Sequence, residues 1–206
     1  MHLFLASNIS DVAKAIFEKA KPFTKNKHLV FIPTAAEPEV GDKSWEDNDR
    51  NALRDAGYEV SEFTITRKNE DDVRAALKEA GSICVGGGNT YYLMNQIRLS
   101  GFEKAIKECL GLGAVYVGSS AGSIVAGPDI ETNLDDRILP EMTDFSGMKL
   151  TDVSVRPHWT STHFEERYKE EIPLLYQKKN KIILLNNKQY LRVDDESYQI
   201  VDTSVT

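Results

Sequence analysis

The chain has 206 residues, 41% of them hydrophobic and 28% charged, and its formal net charge at pH 7 is −7. The ordinary apolar content excludes a disordered chain. The acidic balance argues against a nucleic-acid partner, because an acidic surface repels phosphates. With only Cys84 and Cys109, the sequence is not a disulfide scaffold. At roughly 150 residues per domain, the length predicts a single domain spanning residues 1–206.

No segment approaches the roughly 20 apolar residues that a membrane helix needs, so no membrane partner is expected. The N-terminal segment has no cationic start and turns polar at Ser7, which is not the pattern of a signal peptide. Together with the two separated cysteines, this predicts a protein of the reducing cytoplasm. No Cys/His spacing indicates a zinc site, and neither a metal nor a cofactor is expected.

Short apolar runs alternate with amphipathic stretches along the chain. The first half is predicted as strand 3–6, helix 10–21 capped by Ser10, strand 29–32, helix 44–56, strand 58–65, helix 70–80 and strand 82–85. The second half is predicted as helices 90–99 and 102–110, strand 114–117, a helix starting at 123, loop 127–150, strand 152–155, helix 164–176, strand 181–185 and a hairpin of 189–193 and 198–201.

This alternation predicts an α/β fold, with one domain built on a mostly parallel sheet that helices flank on both faces. Binding sites in such sheets lie at the carboxyl ends of the strands. Two glycine-rich segments, 86–88 and 118–122, follow predicted strands and are therefore the places to look for chemistry.

The segment Gly118–Gly122 matches the pattern G-x-S-x-G, with Ser120 as the central serine. A predicted strand precedes it and a helix can follow, which is the context that a nucleophile on a sharp turn requires. Small neighbours are needed because the backbone of such a turn is strained. The helix N-terminus then directs backbone N–H groups at the site, and the Ala121 N–H is placed to receive a developing oxyanion.

The second glycine-rich segment, Gly86–Thr90, also joins a strand to a helix. It lacks the Lys-Ser/Thr pair of a phosphate loop, and a dinucleotide motif would need glycine at Tyr91. A nucleotide-binding loop, the second half of an oxyanion hole built on the Gly88 N–H, and a plain tight connection are the three interpretations.

A serine nucleophile needs a base, and the chain has four histidines. His2 and His28 precede predicted strands, which places them at the wrong end of the sheet. His158 follows the strand 152–155, at the carboxyl end with Ser120, and is the favoured base; His163 is the alternative. The acidic candidates for orienting the imidazole are not separated by spacing. They are Glu131, Asp135, Asp136, Glu165 and Glu166.

The motifs at 86–90, 119–122 and 157–158, in this order, resemble those of the dipeptidase E family of serine peptidases, which also includes cyanophycinase. The resemblance implies a class I glutamine-amidotransferase-like, flavodoxin-like three-layer fold. It implies Ser120 as nucleophile, His158 as general base, and Gly88 and Ala121 as oxyanion donors. It also places Asp135 as the acidic member, with Asp136 almost as good a match.

Members of this family cleave after aspartyl residues, so the resemblance implies a serine peptidase acting on small peptides, including dipeptides with N-terminal aspartate. A pocket for aspartate needs a cation, and Arg98, Arg156 and Arg167 are the candidates. An amidase or esterase on the same fold and a catalytically silent binding protein are the alternatives. A homo-oligomer is left open.

Overall fold

The computed structural model describes residues 1–131, 141–195 and 197–205. The strands are β1 His2–Ala6, β2 His28–Ile32, β3 Glu59–Glu62, β4 Ser82–Val85, β5 Val115–Ser119, β6 Val153–Arg156, β7 Lys181–Leu184, β8 Gln189–Asp194 and β9 Ser197–Asp202. The helices are α1 Ile9–Ala20, α2 Ser44–Ala56, α3 Glu70–Leu77, α4 Thr90–Ser100, α5 Phe102–Gly111, α6 Ala121–Val125 and α7 Glu165–Gln177. Two single-turn 3₁₀ helices, Thr34–Ala36 and Thr162–Phe164, precede α2 and α7.

Seven strands form the main sheet in the order β3-β2-β4-β5-β1-β8-β9. The first five strands of the chain pair in parallel, and β8 and β9 add an antiparallel hairpin beside β1. The mostly parallel α/β sheet predicted from the sequence is therefore confirmed, including its closing hairpin. β6 and β7 pair with each other in parallel and form a separate two-stranded sheet.

The main sheet buries both of its faces, as expected for parallel strands between helices. Alternate residues of each strand point to different faces. Leu3 and Leu5 of β1 join a core with residues of α3 to α6, whereas Phe4 and Ala6 join a second core formed mainly with α1. Within the described residues, no helix is long and apolar enough to cross a membrane.

Several element ends differ from the prediction. Asn8 rather than Ser10 caps α1, because the Asn8 side chain accepts the Ser10 N–H at 3.3 Å and Ser10 lies inside the helix. β3 is shorter than predicted, α6 begins directly after Ser120, and β7 is only partly buried. The predicted loop 127–150 contains no strand or helix among its described residues, apart from a single bridge between Asp129 and Ser146.

Candidate active site

Ser120 lies on a sharp turn between β5 and α6. Its φ of 49° and ψ of −110° are unusual for a residue with a side chain. The Ser120 N–H donates to the Ala6 carbonyl at 3.1 Å, and the Gly122 N–H donates to the Gly86 carbonyl at 3.2 Å. A Cβ at Gly122 would lie 2.0 Å from the Val85 carbonyl oxygen, and one at Gly118 would lie 2.8 Å from the backbone of Gly122. The glycines of the motif are therefore required for the close packing of this turn against neighbouring backbone.

The glycine loop after β4 lies against this turn. A Cβ at Gly87 would be 3.3 Å from the Ser120 Cβ. Gly88 has a φ of +127°, and a Cβ there would lie 2.2 Å from the Ala35 carbonyl oxygen. The backbone hydrogen bonds that hold the two turns use the amides of Asn89, Ser120 and Gly122. Among the described residues, the backbone hydrogen bonds outside helices and strands include none donated by the amides of Gly88 or Ala121.

His158 contacts Ser120, as predicted from the sequence. The Nε2 atom of His158 lies 2.9 Å from the Ser120 Oγ, within hydrogen-bond distance. His163 lines the same cleft, but its ring packs edge-on against Phe164. His2 contacts Asp194 and His28 contacts Ser61, so both lie elsewhere in the fold.

The second ring nitrogen of His158 contacts an amide side chain that was not among the predicted site residues. His158 Nδ1 lies 2.8 Å from the Asn187 Oδ1. The Ser7 hydroxyl accepts the His158 backbone N–H at 2.6 Å and donates to the same Asn187 Oδ1 at 2.9 Å. Because Oδ1 can only accept, Nδ1 carries the proton and Nε2 presents its lone pair to the Ser120 hydroxyl.

Pairing between β6 and β7 brings Asn187 to His158. The Leu185 N–H donates to the Arg156 carbonyl at 3.0 Å, and the Trp159 N–H donates to the Leu185 carbonyl at 2.9 Å. These bonds extend the parallel ladder past the strand ends, so the segments carrying His158 and Asn187 run side by side. The available sequence signal was an Asn-Asn pair following the predicted strand 181–185, at a carboxyl strand end.

The acidic candidates occupy other positions where they are described. Glu131 forms an ion pair with Lys178, and Glu165 and Glu166 lie close to Lys169. Asp135 and Asp136 lie outside the described residues, so their predicted role is not tested.

Burial holds the pKa of His158 below its ordinary value. The hydrogen bond that His158 donates to Asn187 raises the pKa, whereas the charges of Arg167 and His163 lower it further. The ring also stacks on Phe164, with centroids 4.8 Å apart and planes inclined by 16°. A neutral imidazole at pH 7 is the form that can accept a proton from serine.

Ser120 and His158 line a cleft with a volume of about 480 Å³. Of the three arginines that were candidates for binding a substrate carboxylate, Arg167 lines this cleft. Arg98 instead donates to the carbonyls of Asp144 and Ser146. Arg156 is fully buried beside Glu171, which also accepts from Arg167 Nε at 2.7 Å.

A serine in hydrogen-bond contact with a histidine, at the carboxyl ends of a mostly parallel sheet, is an arrangement found in acyl-transferring hydrolases. The chain belongs to peptidase family S51, whose sequence profile matches residues 3–201. The resemblance noted from the sequence motifs is thereby confirmed, and the protein is assigned to the peptidases.

Individual relatives agree with this assignment. An uncharacterized peptidase of Pasteurella multocida is 31% identical over 198 residues, which cover 90% of this chain and 94% of that protein. Peptidase E of Salmonella gallinarum is 32% identical over 166 residues, which cover 78% of this chain and 68% of that protein. A crystal structure from Listeria monocytogenes, described as that of a candidate peptidase E, superposes with a TM-score of 0.83 at 27% identity and covers 98% of both chains.

Proposed function

We propose that this protein hydrolyses short peptides through an acyl-enzyme formed on Ser120. The observation that carries the proposal is the 2.9 Å contact between Ser120 Oγ and His158 Nε2, with the Nδ1 atom held by Asn187. A nucleophile, a base and a group that orients the base, all within hydrogen-bond reach, form the minimal arrangement for this chemistry.

In the first step, Ser120 Oγ attacks the peptide carbonyl carbon while His158 Nε2 takes the hydroxyl proton. The C–N bond then breaks, and His158 returns that proton to the leaving amine. Water attacks the resulting ester while His158 accepts a proton from it. The C–O bond to Ser120 then breaks, His158 returns the proton to Ser120 Oγ, and the acid product leaves. The lowered pKa of His158 suits this role, because the ring is neutral before each attack.

The backbone amides of Gly88 and Ala121 are the proposed donors to the oxyanion. Ala121 is the first residue of α6, and Gly88 lines the cleft beside Ser120. Removing one such donor in a serine protease costs a factor of about 10² to 10³ in kcat, so the pair is a major part of the proposed mechanism.

Asn187 supplies orientation without charge. Its Oδ1 fixes the tautomer of His158, as an asparagine does in cysteine proteases of the papain type. The role that the family resemblance gave to Asp135 stays a prediction. A neutral partner stabilises the imidazolium less than a carboxylate would, and this places more weight on the oxyanion donors.

We further propose N-terminal aspartyl dipeptides as a substrate class, with Arg167 binding the aspartate side chain. Arg167 is the candidate arginine whose position in the cleft, on the same segment as His163 and Phe164, supports this role. A guanidinium binds a carboxylate through paired N–H donors, and this geometry selects aspartate over uncharged side chains.

A fluorophosphonate probe and a dipeptide panel test the proposal together. We expect the wild-type protein to be labelled at Ser120 and to cleave Asp-Leu, and Ser120→Ala to lose both activities. Ser123→Ala is the matched control, since its hydroxyl donates to the Ala6 carbonyl and that carbonyl keeps its bond from Ser120 N–H.

Other outcomes would redirect the assignment. Labelling with cleavage of simple esters or amides but of no peptide would indicate an amidase or esterase. A folded protein that neither labels nor turns over any substrate would indicate a silent homologue and contradict the proposal.

A further inference from the structure

A buried carboxylate on α2 has no role in the mechanism described so far. Asp49 is 4% exposed and lines the cleft that contains Ser120 and His158. The neighbouring cation on the same helix, Arg50, pairs with Glu46, Asp47 and Glu62. Within the described part of the chain, no lysine, arginine or histidine forms an ion pair with Asp49.

The face of α2 that carries Asp49 lies close to the nucleophile. Trp45 and Asp49 are four residues apart, so they share one side of the helix. The Trp45 Cζ3 atom lies 3.7 Å from the Cβ position of Gly87, and that position is itself 3.3 Å from the Ser120 Cβ. Trp45 therefore lies beside the turn that carries Ser120, and Asp49 lines the same cleft from the same side of α2.

A carboxylate buried without a cation is unfavourable, and its environment shows this. Burial raises the pKa of Asp49 to about 7, and the charge of Asp11 contributes in the same direction, whereas the backbone N–H of Ser10 lowers it. The Ser10 N–H donates to Asn8 Oδ1 and also influences Asp49, which explains a polar residue at this position. It does not explain an acid, because asparagine could face the same N–H without a buried charge.

A ligand that brings a positive charge would supply the missing partner. An unblocked peptide carries such a charge at its α-amino group. The cleft also contains Arg167, contributed by α7, and the carboxylates of Glu39 and Asp42, which precede α2. Of the three carboxylates that line the cleft among the residues described, Asp49 is the buried one, so a cationic group and a buried acid lie on two different elements. An N-terminal aspartyl residue carries the two complementary charges, an ammonium group and a side-chain carboxylate.

We propose that Asp49 binds the protonated amino terminus of the substrate and so restricts the enzyme to peptides whose first residue is unblocked. This inference rests on the proposed peptidase function and names the group that determines which end of the peptide is cleaved. Asp49 is a specificity-determining residue here and takes no part in proton transfer to Ser120.

Binding without turnover is the direct test. In a Ser120→Ala background, calorimetry compares Asp-Leu and Leu-Leu with their N-acetylated forms, for the parent, Asp49→Asn and Asp47→Asn proteins. Asn at position 49 keeps the shape and polarity of the side chain and removes the charge. Asp47→Asn removes the same charge from an exposed position on the same helix.

We expect the parent to bind the free peptides at least tenfold more tightly than the acetylated ones. Asp49→Asn should lose this difference by weakening the free peptides alone, and Asp47→Asn should keep it. Thermal unfolding verifies that each variant is folded.

The inference is overturned if the parent binds acetylated peptides equally well, if it binds none of the four peptides, or if Asp49→Asn weakens both forms alike. Failure of the proposed function is detected separately, because fluorophosphonate labelling of Ser120 does not depend on Asp49. An unlabelled protein that still discriminates free from blocked peptides would retain the binding role and lose the catalytic one.

Discussion

Ser120 and His158 are presented by two different sheets. Ser120 follows β5, which pairs with β4 on one side and β1 on the other, near the middle of the seven-stranded sheet. His158 follows β6, which pairs with β7 in the two-stranded sheet. The proposed nucleophile is thus built into the main core, and the proposed base reaches it from a smaller sheet.

The turn that carries Ser120 (the nucleophile side) and the ring of His158 (the base side) are held in place by different interactions. Around Ser120, glycines allow strand and helix backbones to approach closely, leaving no space for a Cβ at Gly118 or Gly122. Around His158, the ring is positioned by side chains, through Asn187 and the stacked Phe164. We therefore expect atoms added near Ser120 to destabilise the whole fold. Removing single contacts near His158 should instead lower activity in smaller steps.

The largest effect is expected from Gly122→Ala. A Cβ placed 2.0 Å from the Val85 carbonyl oxygen must displace backbone, so we expect a loss of about 4 kcal/mol or more in the free energy of unfolding, or no folded protein. Gly111→Ala is the control, since a Cβ there meets nothing within 4 Å. Denaturant unfolding checks both, and a Gly122→Ala protein destabilised by less than 1 kcal/mol would contradict the comparison.

This difference also explains how much the sequence revealed. The turn at Ser120 was predictable because it is local, with strand, small residues and helix following one another in the chain. His158 was predictable from its place after a predicted strand. Asn187 was not, because its contact with His158 depends on the pairing of β6 with β7, which no pattern within either strand specifies.

The fold shows the same division between features set by local sequence and features set by tertiary contacts. The alternation of strands and helices predicted the mostly parallel sheet, and the ends of α2 and β4 were predicted to the residue. The Asn8 cap was missed because Asn8 and Ser10 are both good capping residues, and the choice between them depends on where β1 ends. That β6 and β7 separate from the main sheet is a tertiary property with no local signal.

Asn187→Ala should give the largest effect on the base side. Without the Oδ1 acceptor, the ring loses the bond that fixes its tautomer, and we expect kcat/KM to fall about 10- to 100-fold with little change in stability. Asn186→Ala is the control, because the Asn186 side chain accepts from the backbone of Lys188 and not from His158. Equal losses of kcat/KM in both variants would mean that disruption of the turn at 186–187, rather than loss of the contact with the imidazole, causes the effect.

Asn187→Asp tests the electrostatics of the same contact. Burial holds the pKa of His158 below that of an ordinary histidine, and a protonated ring cannot act as a base, so wild-type kcat/KM should fall only at pH values below the ordinary histidine range. A carboxylate at position 187 favours the imidazolium against the opposing charges of Arg167 and His163. We expect the pKa to rise and the acid limb of kcat/KM to move to higher pH. A pH–rate profile that stays in place, or moves to lower pH, would show that Asn187 does not face the titrating ring.

The smallest effect is expected from Phe164→Leu, which retains an apolar cover but removes the flat surface under the His158 ring. Stacked aromatic pairs contribute about 0.5–1.5 kcal/mol beyond their buried area, so kcat/KM should fall only severalfold. Tyr176→Leu removes an exposed ring from the same helix region and is the control. A loss as large as that of Asn187→Ala would mean that packing, rather than hydrogen bonding, sets the orientation of the base. An unchanged kcat/KM would mean that the two hydrogen bonds to Ser7 and Asn187 are sufficient to orient His158, and that stacking on Phe164 contributes nothing to its position.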